Sequence, residues 1–225
     1  DRKMDIEVLA PVGGEDQLIA AVKSGADAVY LGTENFNARR NAHNFTDLGK
    51  TVEFCHLHGV KVFVTLNTVI KNREIGSFIK TVREIAESGA DAVIVQDLGG
   101  ISLIKEICPH LPLHASTQMT VHNLSGVKAL EKLGFTRAVL ARELSAKDIK
   151  YICENSPIEI EAFIHGALCM CYSGQCYFSS VIGQRSGNRG RCAQPCRQPY
   201  KNGYELSLKD LSVAEMFKEY LTLGV

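Results

Sequence analysis

Apolar positions in roughly the first 165 residues follow two alternating patterns. Short apolar runs lie at Glu7–Pro11, Ala28–Leu31, Lys61–Leu66, Ala92–Gln96, Leu113–Ser116, Ala138–Ala141 and Ile158–Ile164. Between them, apolar residues recur at helical spacing in Leu18–Ser24, Leu48–His58, Ile79–Ser88, Ile101–Ile107, Val127–Leu133 and Ala146–Cys153. The first set predicts short strands and the second predicts amphipathic helices. The unit also repeats as sequence: SGADAVYLG begins at Ser24 and SGADAVIVQ at Ser88, with HGVKVFV at His58 and LGFTRAVL at Leu133 as looser copies. In each copy a glycine (Gly25, Gly59, Gly89, Gly134) follows the helix, where a left-handed C-cap is expected, and a β-rich run comes next.

Strands alternating with helices predict a parallel sheet with right-handed crossovers. Seven such strands without a GxGxxG turn favour an α/β fold of the (β/α)8 TIM-barrel type, with an open α/β sheet as the alternative. A barrel gathers its chemistry at the C-terminal ends of the strands. Those ends carry Asn67, Gln96, Asp97, His114, Ser116, Gln118, Arg142, Glu143 and His165. Asp97 reads equally well as a helix N-cap. Tyr204–Leu211 fits another strand or a capped turn, and Val213–Leu221 fits an amphipathic helix. The sequence then stops at Leu223-Gly224-Val225, where earlier units begin their next strand, so the barrel is expected to be incomplete at its C-terminal end. The implied division is barrel repeats over 1–166, cysteine-rich loops inserted after strand 7 over 167–203, and the start of a last unit over 204–225.

Composition adds little until its distribution is considered. Lysines plus arginines equal aspartates plus glutamates at 25 each, so net charge says nothing about partners. From Ala162 to Tyr204, however, there is no Asp or Glu, while Arg185, Arg189, Arg191, Arg197 and Lys201 all fall there. The same stretch holds Cys169, Cys171, Cys176, Cys192 and Cys196, out of eight cysteines in the chain. No apolar run approaches the roughly 20 residues of a membrane span, and no signal-peptide h-region opens the chain. A cytoplasmic protein with no membrane partner is the expectation, and there clustered thiols mean metal or catalysis more often than disulfides.

Cys55, Cys108 and Cys153 sit in apolar helical contexts and read as small core residues. Without Cys171, the others follow Cys-x6-Cys-x15-Cys-x3-Cys on Gly-, Ser-, Asn- and Pro-rich loops. Four thiolates on flexible loops can hold zinc or an iron–sulfur cluster. Only the second pair has the short spacing of a zinc knuckle, and the wider first pair favours the larger cluster. The surrounding arginines can offset a cluster's negative charge, bind an anionic ligand, or form a solvated face. His165, four residues before Cys169, reads as a structural histidine or as the base of a thiolate–imidazole pair. No G-x-S-x-G, HExxH, Walker or EF-hand sequence is present. Phe36, Phe45, Tyr172, Tyr177 and Phe178 can stack on a base, and each alone reads as packing.

The run from Glu161 to Ser179, EAFIHGALCMCYSGQCYFS, closely resembles the signature of the collagenase-like peptidases of family U32. The likeness continues in LAPVG (Leu9–Gly13), GADAVYLG (Gly25–Gly32), FNAR (Phe36–Arg39), VTLNT (Val64–Thr68), HASTQMTVHN (His114–Asn123), GNRGRCAQPCR (Gly187–Arg197) and SLKDL (Ser207–Leu211). HASTQMT and RGRCAQPCRQPY look most like the branch that hydroxylates ribosomal RNA. The resemblance implies a [4Fe–4S] cluster and oxygen-independent hydroxylation of a tRNA uridine, a ribosomal RNA cytidine or a quinone precursor, with prephenate as hydroxyl source in part of the family. It implies Cys169, Cys176 and Cys192 as ligands. The fourth falls on Cys196 in the RNA-modifying branch, and further along the chain in some quinone-modifying members. On this reading the partners are RNA and a small anionic co-substrate. Asn67, Gln96 and Gln118 line the pocket, Arg189, Arg191 and Arg197 hold phosphates, Arg142 grips a carboxylate, and His114 or His165 moves a proton. The alternatives are a peptidase, as the family name states, and a zinc-stapled RNA-binding scaffold without chemistry.

Overall fold

The computed structural model describes residues 6–38, 45 and 47–225; Arg39, the last residue of the FNAR motif, lies outside them. Seven strands alternate with helices: β1 (Leu9–Pro11), α1 (Glu15–Lys23), β2 (Ala28–Gly32), α2 (Leu48–Leu57), β3 (Lys61–Leu66), α3 (Ile75–Glu87), β4 (Ala92–Val95), α4 (Leu98–Ile107), β5 (Leu113–Ala115), α5 (Leu124–Lys132), β6 (Arg137–Val139), α6 (Ala146–Asn155) and β7 (Glu159–Glu161). Strand order in the sheet is chain order, β1 through β7. That is the order of a (β/α) barrel, since a doubly wound sheet reverses direction at a switch point. Glycines 25, 59, 89 and 134 have φ of +84°, +72°, +79° and +88°, so each repeat ends its helix with the left-handed turn that its sequence announces.

The chain forms two compact units. One comprises Glu7–His114 with Arg189–Arg191. In it β1 to β4 pair in parallel, with Tyr30 opposite Phe63 and Phe63 opposite Ala92. Alternation along these strands separates two buried faces. Ala28, Phe63, Ala92 and Ile94 cluster on one face, packed by Leu9 and Tyr30. Val29, Leu31, Val62, Val64, Val93 and Val95 alternate with them and are also buried, as are Val52, Cys55, Phe78, Val82 and Ile85 on α2 and α3. Burial of both faces explains why these strands read as continuous apolar runs. Asp97 is the N-cap of α4: its Oδ1 accepts the Gly100 N–H at 2.8 Å, and its Oδ2 accepts that of Ile70 at 3.2 Å.

The other unit contains Ala115–Asn188 and Cys192–Val225. There β6 and β7 pair in parallel. Arg137, the first residue of β6, is buried and donates from Nε and Nη2 to Glu159 at 2.9 and 2.7 Å. Its position at the strand's N-terminal end suits a stabilising role.

Two expectations need correction here. The run Ile158–Ile164 does not form one strand ending beside His165: β7 stops at Glu161, and His165 belongs to a separate strand β8 (His165–Gly166). After α7 (Phe178–Gly183), a strand β9 (Leu211–Ser212) pairs antiparallel with β8, and this pairing draws His165 out of the parallel ladder. Likewise Val213–Leu221 is no single helix. A 3-10 turn at Ala214–Met216 leads into α8 (Phe217–Tyr220), while Val213 and Leu223 on either side are buried.

Candidate functional site

In the unit that contains them, Cys169, Cys171, Cys176 and Cys196 are half-buried and Cys192 is exposed; all are free thiols. Short local bonds set the loops that carry them. Backbone N–H groups donate to two of the sulfurs, Phe178 to Cys176 Sγ and Gln194 to Cys192 Sγ, both at 3.3 Å. Gly187 sits between these two cysteines, since a Cβ there would lie 3.5 Å from the Cys176 carbonyl oxygen and 3.7 Å from Cys192 Cβ. The Ser179 hydroxyl, buried on α7, accepts the Ala193 N–H at 3.0 Å. Arg197 donates from Nη2 to the Leu168 carbonyl at 3.3 Å and to Asp210 at 2.7 Å, tying the Cys196 turn to the start of the first cysteine loop. Burial pushes the Cys196 thiol up, and the neighbouring Cys169 and Cys192 push it further.

Four thiols on loops of one unit are the donor chemistry that a zinc or iron–sulfur centre would use. Like-charged thiolates that oppose each other's ionisation are stabilised together by a metal centre, and N–H donors to sulfur tune such clusters. Among the described residues, no three His, Cys, Asp or Glu side chains stand at the distances that hold a single ion.

The first cysteine loop is docked within its own unit on residues that follow β5, β6 and β7. Gln118 is buried, and Gly174 packs on it so closely that a Cβ at Gly174 would lie 3.0 Å from the Gln118 amide. Gly174 also needs its φ of +78°. Arg142 donates from Nη1 to Ser173 Oγ at 3.2 Å and lies over the Phe163 ring at 4.2 Å. Gln118 and Arg142 therefore both meet the cysteine loop. His165 does not join them: it is exposed in β8 and, among the described residues, makes no hydrogen bond to Cys169.

His122 was not legible as a site residue. Its Nδ1 lies 2.9 Å from the Thr120 carbonyl, its Nε2 3.3 Å from Glu143 Oε2, and Tyr172 of the cysteine loop meets its ring edge-on at 5.3 Å. The HASTQMTVHN motif contains it, but a histidine three residues past a 3-10 turn carries no periodic signal.

In the first unit, Asn67 and Gln96 come together: Gln96 Nε2 donates to the Asn67 carbonyl at 2.8 Å, and Asn67 Oδ1 accepts the Ala38 N–H at 2.9 Å. His114 differs from expectation. It lies in the middle of β5, 4% exposed, with its ring edge-on to Phe63 at 4.6 Å, so it fills the strand layer rather than a strand end. Phe36, at φ +60°, packs edge-on against Phe78.

The acid-free stretch finds its acids elsewhere in the chain. Arg189 grips Glu74 through both terminal nitrogens, Nη1 at 2.9 Å from Oε2 and Nη2 on Oε1, and Nη1 also reaches the Val69 carbonyl at 2.9 Å. Arg197 has Asp210. A guanidinium already bound to a carboxylate is a poor phosphate site, so this corrects the expected phosphate-binding role of Arg189 and Arg197. Arg191 is exposed.

The sequence model of peptidase family U32 matches residues 13–225. The chain is 45% identical over 198 residues to the 23S rRNA 5-hydroxycytidine C2501 synthase of Escherichia coli (strain K12), covering 87% of this chain and 30% of that protein. It is 34% identical over 238 residues to tRNA hydroxylation protein P1 of Bacillus subtilis (strain 168), covering 97% and 56%. The chain thus spans between about a third and just over half the length of these relatives. Among solved structures, the U32 peptidase Mk0906 superposes with a TM-score of 0.67 over 95% of this chain and 88% of that one, at 15% identity, which bears on fold alone. No helix among the described residues is long and apolar enough to cross a membrane. With the model matching nearly the whole length, the chain belongs to peptidase family U32.

Proposed function

We propose that this chain carries the redox core of an RNA hydroxylase, which adds a hydroxyl to a pyrimidine base without molecular oxygen. The carrying observation is that the loops bearing Cys169, Cys176, Cys192 and Cys196 are tied together within one unit, Cys176 and Cys192 flanking Gly187, with backbone N–H groups aimed at two of the sulfurs. These four cysteines would hold a [4Fe–4S] cluster, which supplies one-electron transfer when bound. Two relatives whose names state hydroxylation of ribosomal RNA or tRNA support the substrate class. A 23S rRNA cytidine and a tRNA uridine are the two candidates.

Converting a ring C–H to C–OH removes two electrons, so the oxygen donor must also take up those electrons. A hydroxylated small carboxylate such as prephenate would do both, its own C–OH becoming C–H. The planar fork of Arg142, held by Ser173 and stacked on Phe163 beside the cysteine loop, is suited to gripping it. The cytoplasm is the proposed location, where RNA is modified and thiols stay reduced.

The test is anaerobic purification of the whole chain, with iron and sulfide assayed, followed by incubation with unmodified RNA, a low-potential reductant and prephenate. Mass spectrometry should find a pyrimidine nucleoside heavier by one oxygen. Colourless protein with stoichiometric zinc and no iron would sink the proposal. The family name favours a second reading, a peptidase with Cys169 and His165 as its pair; gelatin cleavage abolished by Cys169→Ser, from iron-free protein, would replace the first reading with this one.

A further inference from the structure

The geometry points to a base-reading amide pair in the unit formed by Glu7–His114 and Arg189–Arg191: we propose that Asn67 Nδ2 and Gln96 Oε1 bind the Watson–Crick edge of a pyrimidine. Amide orientation is often ambiguous, but backbone partners fix both groups here. Asn67 Oδ1 accepts from the Ala38 N–H, so Nδ2 is the atom turned away. Gln96 Nε2 donates to the Asn67 carbonyl, so Oε1 is the atom turned away. Reversing Gln96 would oppose two carbonyl oxygens. Reversing Asn67 would oppose two N–H groups.

What remains is one donor and one acceptor, neither with a protein partner among the described residues. Neither atom is among the described residues' buried side-chain atoms that lack a hydrogen-bond partner. Asn67 follows β3 and Gln96 follows β4, strands that pair directly, so the two amides start from backbones about 5 Å apart. Both lie at the C-terminal ends of their strands, where barrels bind ligands.

A donor beside an acceptor matches an acceptor beside a donor. Cytosine offers N3 and its N4 amino group; uracil offers O4 and N3–H. In each case the substituent on C4 is held, which leaves neighbouring C5 outside the contact. A base taken out of its stack is read in this way, through the edge that pairing would otherwise occupy. The order of donor and acceptor at positions 3 and 4 is reversed between the two bases, so uracil enters turned over relative to cytosine; the pair selects the edge rather than the identity of the base. The choice of a pyrimidine rests on the RNA-hydroxylase reading; the hydrogen-bond pattern does not.

The test follows the side-chain amide signals of Asn67 and Gln96 by 15N NMR while the whole chain is titrated with cytidine, uridine and N3-methyluridine. Cytidine and uridine should shift both signals, and N3-methyluridine should bind at least tenfold more weakly, because its methyl group replaces the donor. Asn67→Asp keeps the acceptor for Ala38 and turns the free donor into an acceptor; it should weaken cytidine binding at least tenfold. Equal binding of N3-methyluridine, unchanged affinity in Asn67→Asp, or no shift with either nucleoside overturns the proposal. The methylated ligand tests it even if the variant fails to fold. Edge-dependent nucleoside binding by a protein that hydroxylates no RNA would uphold the pair and overturn the hydroxylase reading instead.

Discussion

Arg189 and Glu74 lie 115 residues apart in sequence and form a two-pronged ion pair, Nη1 to Oε2 and Nη2 to Oε1. Within one compact unit, this pair anchors the chain just before Cys192 to the turn that opens α3. The hydrogen bond from Arg189 is the main reason that the Glu74 carboxyl is held down from its ordinary 4.5 to about 2. The carboxylate's contribution is therefore complete above about pH 4.5 and is lost as pH falls from there toward 2. Amide protection factors at residues 189–191, exchange rates corrected for the intrinsic rate at each pH, should fall across that window. Glu74→Gln should remove the dependence and cost about 1 kcal/mol of stability. Protection factors that stay flat from about pH 5 to about 2.5 would show that the pair does not hold the loop.

Because Arg189 is already engaged, the arginines should contribute unequally to RNA binding. Arg191→Ala should lower the salt slope of RNA affinity by about one phosphate contact. Arg189→Ala should change affinity through loop disorder, with the slope retained. Filter binding at several salt concentrations separates the two, and equal slope losses would restore Arg189 as a phosphate ligand.

Gly190 cannot carry a side chain. A Cβ there would stand 2.2 Å from the Asn37 carbonyl oxygen, and φ is +70°. Gly190→Ala should destabilise the protein by about 2–3 kcal/mol through strain and expose residues 189–191 to protease. A melting temperature equal to the parent's would contradict the close approach.

The eight cysteines should fall into distinct classes. Burial lifts the Cys55 and Cys153 thiols from 9.0 to about 11, so their thiolate fraction near neutral pH falls about a hundredfold and alkylation should reach them last. Serine at Cys169, Cys176, Cys192 or Cys196 should lower bound iron after anaerobic reconstitution, whereas Cys55→Ser and Cys153→Ser should keep it. Iron analysis of the six variants decides, and uniform behaviour would dissolve the proposed ligand set.

Arg142 should matter for chemistry and little for folding. Arg142→Ala is expected to abolish hydroxylation while leaving iron content and melting temperature near the parent's. Arg142→Lys should not rescue it, because an ammonium can neither stack on Phe163 nor present a fork to a carboxylate. Activity regained in the lysine variant would reduce the role of Arg142 to charge alone.

The sequence by itself determined the repeating unit. Apolar runs, helical spacing and four post-helical glycines depend on local backbone preference and burial, and Lys61–Leu66 emerged with the bounds read from its residues. It also marked the thiols, because cysteine on polar loops is informative without coordinates. Only the tertiary structure decided which acids Arg189 and Arg197 meet. Glu74 and Asp210 lie outside the acid-free stretch, yet they neutralise Arg189 and Arg197, and nothing in a linear reading couples residues 115 positions apart. Tertiary structure likewise moved His165 into an antiparallel pair and His114 into the strand layer. A strand's true end depends on its pairing partners rather than on its own composition. The fixed amide orientations of Asn67 and Gln96 arise the same way, from backbone groups that only the fold brings to them.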